Sequence, residues 1–72
     1  MHRILGIDPG VGRVGWGIVE KDGAVLTARS WGRIETAPHG NLPSRLAIIT
    51  TALQKLIKQY KPNVVAVEEL FF

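Results

Sequence analysis

Val64-Val65-Ala66-Val67 carries apolar side chains on both of its alternating faces, directly after a long amphipathic stretch that ends at Pro62. A strand of that kind is usually interior and covered on both sides, as parallel strands of α/β sheets are. The stretch before it has a helical period. Leu42, Leu46, Ile49, Leu53, Leu56, Ile57 and Tyr60 recur at spacings of three and four, which makes one apolar stripe. The spacing predicts a helix from about Pro43 to Tyr60, with Asn41 or Leu42 as its cap and Pro43 in its first turn. Lys55, Lys58 and Lys61 favour its C-terminal end electrostatically, and Pro62 stops it. A helix leading into such a strand reads as a crossover, and crossovers between parallel strands are almost always right-handed.

Upstream, Arg3–Asp8 is a short apolar run ending at Pro9-Gly10, the first strand. Val14–Glu20 alternates and forms the second; Lys21-Asp22-Gly23 reads as a hairpin turn; Ala24–Ile34 returns as the third. Glu35–Leu42 is a loop containing Pro38, His39, Gly40 and Asn41. The order is β-β-β-α-β, an α/β pattern with a mixed sheet. If the fourth strand lies parallel beside the first, Asp8 and Glu68 meet at one end of that sheet. The single helix covers one face only, so the 72 residues read as the first part of a longer fold, or as one whose second face a partner covers. A chain of this size buries only about 60% of its unfolded surface.

At 46% hydrophobic and 21% charged residues, the chain is not a disordered one. The absence of Cys excludes a disulfide scaffold, a thiolate metal site and a cysteine nucleophile. No apolar run approaches the roughly 20 residues that span a bilayer, and Ile4–Ile7 is too short, and too soon broken by Asp8 and Pro9, to be a signal peptide. What remains is a soluble protein of the cytoplasm, with no membrane partner. The net charge is +3, with Lys21, Arg29, Arg33, Arg45, Lys55, Lys58 and Lys61 surrounding a small acidic focus. That layout suits a polyanion whose phosphate meets a metal, although scattered bases also make an ordinary solvated face, the reading that charge alone favours.

Asp8 before Pro-Gly is also good turn chemistry, and Glu68-Glu69 also a polar strand exit. Each acid, however, is pinned behind an apolar strand, and two ionised carboxylates side by side are costly unless a cation neutralises them. Oxygen donors without Cys point to Mg²⁺ or Mn²⁺. Gly6 and Asp8 share a strand face, as do Ala66 and Glu68, which favours Glu68 as the second ligand with Glu69 as the alternative. Gly10 and Gly12 read either as turn geometry or as places where a phosphate backbone approaches closely; Gly15 and Gly17 read as packing positions. Phe71 and Phe72 follow the acids as core residues or as aromatics that stack on an unpaired base. Trp16 and Trp31 read as core or half-buried. Arg13, Arg33 and Arg45 are candidate phosphate contacts or ordinary surface bases. His2 and His39 take no role.

Ile4-Leu5-Gly6-Ile7-Asp8-Pro9-Gly10, Val14-Gly15-Trp16-Gly17-Ile18-Val19-Glu20, Leu42-Pro43-Ser44-Arg45-Leu46 and Val65-Ala66-Val67-Glu68-Glu69-Leu70-Phe71, in that order, resemble the RuvC family of Holliday-junction resolvases. The resemblance implies an RNase H-like fold, of which residues 1–72 would be the N-terminal portion of a single nuclease domain. It implies a homodimeric, Mg²⁺-dependent endonuclease for four-way junction DNA, acting in recombination and repair beside the branch-migration proteins RuvA and RuvB. Asp8 and Glu68 match the family's first two catalytic carboxylates, and Phe71 an aromatic set against junction bases. Two further catalytic aspartates on a C-terminal helix have no counterpart in these residues, so the 72-residue piece alone is expected to be inactive. Three other readings share parts of the pattern: RNA-guided nucleases with a similar opening, actin-like phosphotransfer enzymes, and a non-catalytic junction-binding or dimerisation module.

Overall fold

The computed structural model describes residues 1–10, 12–37 and 40–68. Its elements are β1 (His2–Pro9), β2 (Arg13–Asp22), β3 (Val25–Glu35), α1 (Leu42–Tyr60) and β4 (Val64–Val67). They form one sheet in the order β3-β2-β1-β4. β2 is antiparallel to β1 and to β3, and β4 pairs with β1 in parallel. The expected order and the expected neighbourhood of the first and last strands are both present. No helix of the described residues is long and apolar enough to cross a membrane.

The hairpin turn is tighter than the residues suggested. Asp22 pairs with Val25, so Lys21 and Asp22 belong to β2 and only Gly23-Ala24 forms the loop. Gly23 has φ +60°, at the first position of a two-residue loop, where a type II′ turn needs a left-handed residue. Further along, Ile18 pairs with Ser30 but Val19 with Ala28, leaving Arg29 as an extra residue on β3. This bulge frees Arg29 from the ladder, and its Nε lies 3.3 Å from Glu20. Glu20 also pairs with Arg3 at 3.2 Å, and Arg3 donates from its other terminal nitrogen to the Tyr60 carbonyl at the end of α1.

Asn41 caps α1: its Oδ1 accepts from the Ser44 N–H at 2.9 Å. Lys61 closes the other end in a left-handed conformation, donating its N–H to the Ile57 carbonyl at 2.9 Å. Asn41→Ala is expected to cost about 1 kcal/mol of stability, read as a lower urea midpoint at unchanged slope.

The core follows strand alternation. Leu5 and Ile18 oppose each other on β1 and β2, and Val14 and Ile34 on β2 and β3; all four are buried on one face. Full burial of Leu5 and Ile18 contributes about 2–3 kcal/mol each. α1 packs on this face. The Trp16 and Tyr60 rings lie 6.1 Å apart, and the Tyr60 hydroxyl donates to Ser30 Oγ at 3.1 Å. Ile49, Ala52, Leu53, Leu56 and Tyr60 are half-buried, whereas Leu42, Leu46 and Ile57 of the expected stripe stay exposed. The helix touches β2 and β3 through Tyr60, and the residue after β3 through Arg45. It therefore leaves β4 open: all four β4 residues are exposed at the sheet edge. The interior, doubly covered place expected for Val64–Val67 is not reached within the described residues.

Candidate functional site

The parallel register pairs Ile7 with Val67, and the Glu68 N–H donates to the Ile7 carbonyl at 2.9 Å. Asp8 and Glu68 come next on each chain, at one level on strands about 4.8 Å apart. Alternation puts Gly6, Asp8, Ala66 and Glu68 on the face away from α1. Asp8 and Glu68 line a single open hollow of about 480 Å³. Among the described residues neither carboxylate has an ion-pair or side-chain hydrogen-bond partner. The other well-placed acid, Glu20, differs: it is already paired with Arg3 and Arg29.

Glycine makes the hollow. Asp8 stands opposite Gly15, and Gly6 opposite Gly17. A Cβ on Gly15 would lie 3.7 Å from the Asp8 Cβ. Gly15 and Gly17 thus form part of the floor of this hollow. On the far side of that floor, Trp31 stands opposite Gly17 and Arg33 opposite Gly15. Trp31 is 73% exposed on this face, which corrects its reading as a core or half-buried residue; Trp16 is half-buried beneath α1 as expected. The bulge explains the difference. Continuing the register of the hairpin end would set Trp31 opposite Trp16, in the core. The extra residue Arg29 shifts the pairing by one and turns Trp31 outward.

The remaining candidates fall in different places. Gly10 closes the β1–β2 turn, its N–H donating to the Arg13 carbonyl at 2.8 Å; a Cβ there would sit 3.0 Å from that carbonyl oxygen. Arg13 is exposed at the start of β2 and, by alternation, on the face of Asp8. Arg45 is half-buried on α1, with Nε donating to Thr36 Oγ1 at 3.1 Å, and is not brought to the carboxylates. Phe71 and Glu69 lie outside the described residues, as does His39. Sequence reading passed over Thr36, a buried polar residue, and left the siting of Arg33 open. A Thr two residues after a buried Ile34 on an alternating strand was the available signal for Thr36.

The comparisons with known proteins agree with this architecture. The family model described as "Crossover junction endodeoxyribonuclease RuvC" matches residues 4–72. A crossover junction endodeoxyribonuclease RuvC of Petrotoga mobilis is 48% identical over 69 residues, covering 96% of this chain and 42% of that protein. The chain therefore spans less than half the length of that relative. Thermus thermophilus RuvC, solved in complex with a Holliday junction substrate, matches with a TM-score of 0.89 at 30% identity, over 100% of this chain and 44% of that one. The Aquifex aeolicus PPX-GPPA enzyme matches with a TM-score of 0.69 at 22% identity, over 92% of this chain and 25% of that one, a likeness of fold alone. The mixed sheet with its single helix is the RNase H-like arrangement expected of the RuvC structures. With its first and last strands side by side, its acids at their common end and the family pattern matched from Ile4 to Phe72, the chain belongs to the family of crossover junction endodeoxyribonucleases, RuvC.

Proposed function

We propose that the protein containing these residues cleaves four-way DNA junctions by divalent-metal-dependent phosphodiester hydrolysis, and that residues 1–72 are the N-terminal portion of a single RNase H-like nuclease domain. The observation that carries this reading is the β1–β4 register, which sets Asp8 and Glu68 side by side over an open glycine floor. Two ionised carboxylates brought close together repel unless a cation lies between them. Their hard oxygen donors fit Mg²⁺, with Mn²⁺ as a substitute. Among the described residues no third His, Cys, Asp or Glu joins them.

Asp8 and Glu68 hold the metal, and Glu68 helps orient the attacking water. When bound, the metal stabilises negative charge on the attacking and leaving oxygens of an in-line displacement. Gly6, Gly15 and Gly17 leave room for the phosphodiester backbone at Asp8. Arg13 binds flanking phosphate, so affinity falls as salt rises. Gly10 keeps the turn beside Asp8 tight enough for the strand to pass, and Phe71 stacks on a junction base. A homodimer would match the two-fold symmetry of the junction, in the cytoplasm and beside RuvA and RuvB.

The test is the full-length protein with a synthetic four-way junction. Paired nicks in Mg²⁺, abolished by a chelator and restored by excess Mg²⁺, are expected. Junction binding without nicking in Mg²⁺ would instead select the non-catalytic module, and phosphate transfer from ATP the actin-like reading.

A further inference from the structure

We propose that Arg45 is a positioning residue: through Thr36 it holds Gly12 at the entry to β2, and so sets Asp8 in the cleavage reaction proposed above, on which this inference rests. Thr36 is buried, 8% exposed, and both of its donors reach one acceptor. Its N–H and its hydroxyl donate to the Gly12 carbonyl at 3.0 and 3.4 Å. The same hydroxyl oxygen accepts from Arg45 Nε at 3.1 Å. The relay thus runs from α1 through Thr36 to Gly12, which sits at φ +75° in the turn that follows Asp8-Pro9. Within the turn itself, the Gly10 N–H holds the Arg13 carbonyl at 2.8 Å.

The local sequence is arranged for this relay. A Cβ on Gly40 would lie 3.4 Å from Arg45 Cγ, so the glycine lets the arginine stem lie against the loop. Thr36 follows the alternation of Ile34 onto the face covered by α1. Arg45 therefore works from beneath the sheet while Asp8 works above it. A hydrogen bond from a charged donor is about twice as strong as a neutral one, and a lysine has no Nε–H to place at that point. Asp8 is itself exposed, with no side-chain partner among the described residues, so its position depends on the backbone that the turn holds. A displacement of about 1 Å at a reacting group can cost 10²-fold in rate.

Thr36→Val, Thr36→Ser and Arg45→Lys in the full-length protein test the relay, with two readouts: junction kcat and Kd, and hydrogen exchange of the Gly10 amide. Thr36→Val and Arg45→Lys should each lower kcat about 10- to 100-fold, speed Gly10 exchange about tenfold, and leave Kd within about twofold. Thr36→Ser should behave like the parent. If Thr36→Val folds poorly, Arg45→Lys carries the test alone, since it keeps the charge and the fold. A parent-like kcat, or unchanged Gly10 exchange, in Arg45→Lys overturns the relay. A weakened Kd at unchanged kcat overturns it too, and makes Arg45 a phosphate contact. A parent protein that never nicks the junction defeats the proposed function instead, whereas the exchange readout still judges the relay.

Discussion

Asp8→Asn and Glu68→Gln are each expected to lower junction cleavage by on the order of 10³-fold or more while leaving junction affinity within about twofold. Each substitution keeps the shape of the side chain and removes one charge and one ligand oxygen. Neither should disturb packing, because both side chains are exposed and unpartnered among the described residues. If the two hold one cation, as proposed, the double variant should be scarcely worse than either single one. Rates measured at saturating Mg²⁺, with Kd from gel shift, separate the effects. Undiminished cleavage in either variant would remove that residue from the metal site. Loss of affinity in step with rate would make the carboxylates structural.

Gly32→Val is expected to cost about 3 kcal/mol of stability, at the upper end for overpacking a filled site. Gly32 stands opposite Trp16, and a Cβ there would lie 3.0 Å from Trp16 Cζ2 and 3.1 Å from Cε2 and Nε1. The indole has little room to yield, because Tyr60 packs against it. Gly17→Ala is the control, since its Cβ would come no nearer than 3.9 Å to the Ser30 carbonyl oxygen. Urea denaturation of both variants checks the contrast. Equal midpoints would mean that Trp16 does not rest on Gly32.

The two glycines look alike in the sequence, each between larger residues on a strand. The bulge at Arg29 separates them, carrying Gly32 under the helix-side indole and Trp31 to the open face. Parity read from the hairpin alone gives the opposite result for Trp31. A bulge depends on the balance of twist, side-chain burial and the pull of Glu20 on Arg29. None of these is a local property of the strand. The siting of Arg45 was likewise left to the tertiary fold: its Nε donates to Thr36 Oγ1, nine positions earlier in the chain.

By itself the sequence determined the element order, the helix and its cap, and the pairing of two acids at one end of the sheet. Those features rest on periods of two and 3.6, on Pro and Asn chemistry, and on the limited topology of a crossover. Tertiary structure alone decided which face each β3 side chain takes, which arginines stay free, and how much of the apolar surface is covered. Those outcomes come from contacts between residues far apart in the chain, where a one-residue shift in register moves every later side chain to the opposite side.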